Sequence, residues 1–219
     1  MDRARVGVLI SGRGSNLQAL IAACEAPDYP AEIALVITNV ADAKGLEHAK
    51  RAGIPCCVIS HKDFPDRARF DAALDSALRQ ADIKIVCLAG FMRLLGETFT
   101  AAWRDRVLNI HPSLLPAFPG LNTHRNVIEA GVKISGCTVH LVRPELDAGP
   151  ILIQAAVPVA QDDTSETLAA RVLEMEHRCY PLALRLLATN GIRVEENRTR
   201  LAATPATPAV GFLNPETQG

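Results

Sequence analysis

Asn109 and His111 stand two residues apart in the run Asn109-Ile110-His111-Pro112-Ser113. At strand spacing, alternate side chains point to one face. An amide able to donate to a developing oxyanion and an imidazole able to give or take a proton would thus reach the same space. An ordinary polar strand end is the competing reading. Asp147 lies in the turn Leu146-Asp147-Ala148-Gly149, where Asp-Xaa-Gly also occurs for purely local reasons. A carboxylate that reached an imidazole from there would set its tautomer and orientation. A third group, Ser11-Gly12-Arg13-Gly14-Ser15-Asn16, joins an apolar run to an amphipathic one. Glycines let the backbone turn tightly, and free N–H groups at a helix start attract phosphate. The dinucleotide fingerprint fails at Leu17, where its third Gly is expected, and the Gly-Lys-Ser/Thr of a Walker loop is missing. A glycine turn that serves only the fold stays open as the alternative.

The elements that must position these groups follow from periodicity. Val6–Ile10, Glu32–Thr38, Cys56–Ser60 and Ile83–Ala89 have strand character, and helices are expected from near Ser15, Asp42 and Asp66. Strands alternating with helices predict βαβ units and a parallel sheet, with the loops after the strands gathered along one edge. A further strand, Arg106–Ile110, ends at His111, and Pro112, Pro116 and Pro119 force a loop up to Gly120. A helix over Asn122–Ala130 leads to two longer strands, Lys133–Val142 and Pro150–Val159, which can pair antiparallel. The expected fold is therefore α/β, a Rossmann-like and mostly parallel sheet with helices on both faces, mixed towards the C-terminal half. Thr164 or Ser165 caps a last long helix, which Pro181 should kink or split. Residues from about Asn197 onward lack periodicity and read as an extension.

Composition narrows the function classes. The 219 residues suit one large α/β domain or two small ones, and 48% hydrophobic content supplies a sizeable core. With 4% aromatics, that core must be mainly aliphatic. A net charge of -1 argues against broad electrostatic capture of nucleic acid. No run reaches membrane-crossing length, and the short apolar start lacks the core of a signal peptide, so the cytosol is the expected compartment. Cys24, Cys56, Cys57, Cys87, Cys137 and Cys179 lack CxxC spacing and are read as reduced, buried thiols. The histidines and cysteines offer no zinc spacing. His140, on the same strand face as Thr138, is placed on the site side. His48, His61, His124 and His177 are read as solvated or satisfied surface groups.

The segment Asn109 to Pro116 closely resembles the folate-dependent phosphoribosylglycinamide formyltransferase family. The likeness continues through Ser11–Asn16, Ala89-Gly90-Phe91-Met92-Arg93, Phe118-Pro119-Gly120-Leu121, Thr123-His124-Arg125 and Glu145-Leu146-Asp147, and covers about residues 5–195. It implies a single domain over 1–195, with an N-terminal phosphate-binding half and a C-terminal folate and catalytic half, followed by an extension over 196–219. It also implies transfer of a formyl group from 10-formyltetrahydrofolate to the amine of glycinamide ribonucleotide, without metal or covalent intermediate. Nucleic acid and membrane are not expected partners, and a homodimer is left open.

By the same resemblance Asn109, His111 and Asp147 are the catalytic trio. Gly14, Ser15 and Asn16 form the substrate phosphate loop, and Glu176 is an acidic contact to the glycinamide. Met92, Arg93, Leu94 and Leu95 wall the folate pocket, Arg143, Pro144, Glu145, Leu146 and Asp147 embrace the ring together with Asn109, and Arg67 lies near the folate tail. Two positions depart from the family pattern. Pro144 stands where an Asp is expected and removes a backbone donor. Arg13 stands where a neutral residue is expected. Rival readings are a formyltetrahydrofolate hydrolase, a methionyl-tRNA formyltransferase, which would add further domains, and a binding module without catalysis.

Overall fold

The computed structural model describes residues 3–202. Strand β1 (Ala4–Ile10) runs into α1 (Ser15–Cys24), then β2 (Ala31–Thr38), α2 (Gly45–Arg51) and β3 (Cys56–Val58). After a 3-10 turn at His61–Asp63 come α3 (Arg67–Gln80), β4 (Ile85–Leu88), α4 (Glu97–Ala102) and β5 (Val107–His111). Helix α5 (Thr123–Glu129), β6 (Ile134–Leu141), β7 (Ile151–Pro158) and α6 (Ser165–Ala188) complete the main body. A hairpin of β8 (Ile192–Glu195) and β9 (Arg198–Leu201) follows.

The sheet order is β3-β2-β1-β4-β5-β6-β7. β1 to β5 are parallel, and β6 and β7 reverse direction in turn. The chain winds outward from β1 to β3 and then restarts at β4 on the other side of β1. That reversal opens a crevice between the loops after β1 and β4, the place where open α/β sheets bind ligands.

Alternation along β1 builds two cores. Val6, Val8 and Ile10 pack into one cluster with Leu17 and Leu20 of α1 and Leu168, Val172 and Tyr180 of α6. Leu9 faces the other cluster, with Phe70, Leu74 and Leu78 of α3 and Phe99 of α4. Helices thus cover both faces, and the period of two in β1 is the reason. Burial of Tyr180 also has a polar purpose, because its hydroxyl sits 2.9 Å from the Leu88 carbonyl and 3.1 Å from that of Leu108. It bridges the last residue of β4 and the residue of β5 that precedes Asn109.

Of the expected kink or split at Pro181, the split does not occur, since α6 is continuous from Ser165 to Ala188. Proline deletes one backbone hydrogen bond, but Cys179, Tyr180, Ala183 and Leu184 on either side are buried in the core. Tertiary packing on both flanks outweighs the local preference. A capping box of Thr164 and Thr167 starts the helix. At the other end of the chain, Thr199 Oγ1 donates to the Ile151 carbonyl and attaches β9 to β7. A boundary at residue 195 therefore falls inside the β8–β9 hairpin, and residues 203–219 of the expected extension lie outside the described residues.

Candidate active site

The antiparallel register of β5 and β6 sets Asn109 opposite His140 and His111 opposite Thr138. Asn109 Nδ2 lies 3.1 Å from His140 Nε2. His140 Nδ1 lies 3.1 Å from the Leu141 carbonyl. A proton on Nδ1 leaves Nε2 as a bare acceptor, so the ring takes one amide hydrogen of Asn109 and leaves the other to point elsewhere. Burial pushes the His140 pKa below the ordinary histidine range, and the neighbouring His111 adds to that; the Leu141 carbonyl and Asp147 act in the opposite direction. The neutral ring suits its acceptor role.

His111 is buried at the end of β5. Its Nε2 is 2.9 Å from the Phe118 carbonyl and its Nδ1 is 3.4 Å from Asp147 Oδ2. The same carboxylate oxygen accepts the Gly120 N–H at 2.9 Å, and Asp147 Oδ1 is 3.9 Å from His140 Nε2. Asp147 adopts a left-handed backbone, φ 52°, which turns its side chain back into the protein. One carboxylate therefore faces two imidazoles and ties the 143–147 loop to the proline-rich loop after β5. Thr138 does not reach the site. It is fully buried, donates to the Ser113 carbonyl at 2.6 Å and accepts from Leu115 N and Gln154, anchoring the proline-rich loop.

A pocket of about 100 Å³ adjoins this cluster. Leu88, Phe91, Arg93, Leu94, Leu95, Asn109, His140, Val142 and the run Arg143 to Asp147 line it. Pro144 is one of the exposed lining residues. Arg143 is buried and pairs with Asp105, which fastens the start of the loop. His111 is not part of this lining, and neither are Met92, whose side chain is exposed, or Arg67, which is exposed at the start of α3. Arg67 instead lies near Gly96 and the buried Asp71, with Arg93 acting on the same carboxyl.

On the other side of the crevice, Gly14 begins α1 in the left-handed region, φ 77°. A Cβ there would meet Gly45 Cα at 2.5 Å, so glycine is needed for both the turn and the close approach of α2. The first N–H groups of α1, Ser15 and Asn16 among them, have no intrahelical acceptor. Asn16 Nδ2 donates to Glu176 Oε2 at 2.7 Å across the α1–α6 contact. Both side chains are buried, and Asn16 Oδ1 has no partner among the described residues. Burial raises the Glu176 pKa above the usual carboxylate range, against the pull of the Asn16 bond.

The family profile described as formyl transferase matches residues 4–184. This chain belongs to the formyl transferase family. It is 51% identical over 195 residues to the trifunctional purine biosynthetic protein adenosine-3 of Gallus gallus, covering 89% of this chain and 19% of that protein. The chain thus spans about a fifth of the length of the trifunctional relatives it matches. It is 42% identical over 210 residues to the phosphoribosylglycinamide formyltransferase of Haemophilus influenzae, covering 96% of this chain and 99% of that one. Among solved structures, glycinamide ribonucleotide transformylase 1 of Symbiobacterium toebii superposes with TM-score 0.89 at 49% identity, covering 91% and 94% of the two chains. A formyltetrahydrofolate deformylase from Pseudomonas syringae reaches 0.85 at 26% identity, and this chain covers 66% of it.

Several features of this chain differ from the reading of its sequence or escape it. His124 and His177 are neither fully solvated nor fully satisfied: each is half-buried, with Nδ1 and Nε2 respectively buried and lacking a partner among the described residues. Burial lowers both pKa values, and His111 lowers that of His124 further. Cys56 and Cys57 are only half-buried, whereas the other free thiols are buried. The link from His140 to Asn109 had a faint signal in the antiparallel strand pair, but register cannot be counted across a loop of unknown shape. Among the described residues, no group of three or more His, Cys, Asp or Glu is placed to hold a metal ion. No helix among them is long and apolar enough to cross a membrane.

Proposed function

We propose that this chain transfers the formyl group of 10-formyltetrahydrofolate to the amine of glycinamide ribonucleotide in purine biosynthesis. The observation that carries this reading is a near end-to-end match to a phosphoribosylglycinamide formyltransferase, in a chain where Asn109 and Asp147 line one pocket and Asp147 Oδ2 lies 3.4 Å from His111 Nδ1. The glycinamide amine attacks the formyl carbon, and a tetrahedral oxyanion forms. The Asn109 amide hydrogen not taken by His140 donates to that oxyanion. His111, held by Asp147, gives up its contact to the Phe118 carbonyl to stabilise the same charge and supply a proton. As the bond from carbon to the folate nitrogen breaks, the attacking amine loses one proton and the leaving nitrogen gains one. Oxyanion donors of this kind are worth ~10²–10³ in rate and acid–base groups ~10²–10⁴.

In the same reading Gly14, Ser15 and Asn16 take the acceptor phosphate at the start of α1, and Glu176 takes polar groups of the acceptor. The pocket of Arg93, Leu94, Leu95 and the 143–147 loop takes the folate ring, with Met92 and Arg67 towards its exposed parts. A cytosolic site of action and a chemistry without metal belong to the proposal. The test is formyl transfer by purified protein with 10-formyltetrahydrofolate, with and without glycinamide ribonucleotide. Tetrahydrofolate should appear only with the acceptor. Equal donor loss without it would assign water as the acceptor and overturn the reading.

A further inference from the structure

Ser11 stands at the switch point between β1 and β4, one residue beyond the end of β1. Its backbone N–H donates to the Gly90 carbonyl at 3.1 Å. Its hydroxyl accepts the Met92 N–H at 2.8 Å and donates to Asn39 Oδ1 at 2.6 Å. Asn39 is buried at the end of β2, and its Nδ2 lies 3.2 Å from His61 Nδ1. The next residue, Gly12, accepts the Gly45 N–H of α2 at 2.9 Å. Beside the backbone bond to Gly90, the Ser11 hydroxyl thus adds a second link between the Ser11–Asn16 loop and the Gly90–Leu95 loop, and Asn39 braces that hydroxyl from behind. A hydroxyl has a single proton to give, and with that proton on Asn39 the oxygen is free to hold Met92. Met92 itself is exposed, so no packing of its side chain replaces this bond.

In the function proposed above, on which this inference rests, the first loop carries the acceptor phosphate and the second walls the folate pocket. We propose that Ser11 is a positioning residue that couples the two subsites. A phosphate bound at the start of α1 immobilises the Ser11–Asn16 loop and, through the Ser11 hydroxyl, the Met92 backbone. Folate then binds a wall already ordered, and less conformational freedom remains to be lost. By linkage, folate strengthens acceptor binding by the same factor.

Calorimetry on the parent and on Ser11→Ala tests this, with tetrahydrofolate titrated in the absence and presence of glycinamide ribonucleotide. The parent should bind tetrahydrofolate at least about fivefold tighter with the acceptor bound, the lower range of such coupling. In Ser11→Ala the backbone bond to Gly90 remains but the hold on Met92 is gone, so that ratio should fall towards one, and KM for each substrate should rise about two- to tenfold, as for a lost hydrogen bond. Ser11→Thr keeps the hydroxyl and should restore the ratio. A parent ratio of one, an intact ratio in Ser11→Ala, or a Ser11→Thr as uncoupled as Ser11→Ala would each overturn the coupling. Amide exchange in the unmutated protein is an independent readout. Glycinamide ribonucleotide alone should slow exchange at the Met92 N–H, and unchanged exchange would overturn the proposal even if the variants fail to fold. A parent that binds both compounds without coupling removes only this inference, whereas one that binds neither removes the proposed function as well.

Discussion

Replacing Asp147 by Asn separates charge from shape at the centre of the site. The Asn oxygen can sit where Asp147 Oδ2 now accepts the Gly120 N–H at 2.9 Å, so the loop stays closed. What disappears is the negative charge 3.4 Å from His111 Nδ1 and 3.9 Å from His140 Nε2. At 3.4 Å and an effective dielectric constant of about 20, a full imidazolium–carboxylate attraction is about 5 kcal/mol gross. The Gly120 N–H shares that carboxylate, and a ring that gains only part of a charge in the transition state draws only part of the attraction. We expect a net loss of about 3 kcal/mol, or about 10²-fold in rate. Single-turnover formyl transfer, with both substrates saturating, measures it directly. Acceptor affinity should be unchanged, because α1 and Glu176 are separate elements. Asp147→Ala should be worse than Asp147→Asn, since it also frees the Gly120 N–H and loosens the loop. If Asp147→Asn transfers formyl within about threefold of the parent rate, electrostatic support of His111 is not what Asp147 does.

Gly14→Ala places a Cβ 2.5 Å from Gly45 Cα at φ 77°. It should destabilise the fold by about 1–3 kcal/mol, read by chemical denaturation, and weaken acceptor binding more than folate binding. Glu176→Gln removes a carboxyl whose folded pKa is raised by burial. In the parent this group's stabilisation is fully present below the ordinary carboxylate value and lost as pH rises through the folded pKa. The variant should therefore lose less stability than the parent between acidic and neutral pH, while calorimetry shows weaker glycinamide ribonucleotide binding. His140 has a lowered folded pKa, so the unfolded chain binds its proton more readily, and stability should fall as pH drops from 6.5 towards the folded value. His140→Asn should show a shallower fall in acid unfolding curves, with slopes left from His124 and His177, and transfer should slow because Asn109 loses its brace. Parallel acid profiles for parent and variant would contradict the buried neutral ring.

The parallel βαβ half was legible because strand and helix periods differ and each short apolar run is bounded by turn formers. The antiparallel strands β6 and β7 were legible for the same reason, and Gly14 announced its turn because few other residues adopt positive φ. Pro181 does not split α6 because burial of Cys179, Tyr180, Ala183 and Leu184 around it outweighs its local penalty. His124 and His177 misled because a histidine's burial depends on what packs over it, and nothing in their own neighbourhoods of sequence records that.

By itself the sequence determined which chemistry was on offer: Asn109 and His111 on one strand face, a carboxylate at 147, and a glycine turn ahead of a helix. Those are properties of residue type and of spacings no longer than a turn or a strand, and the backbone's own geometry enforces them. Only the tertiary structure decided how the groups meet. The β5–β6 register put His140 behind Asn109, the left-handed backbone at Asp147 aimed one carboxylate at two imidazoles, and the reversal of strand order at β1 and β4 brought Ser11 against Met92. Contacts between residues 31, 36 or 81 positions apart carry no periodic signal. They are set by which faces the core must bury and by the sheet that results.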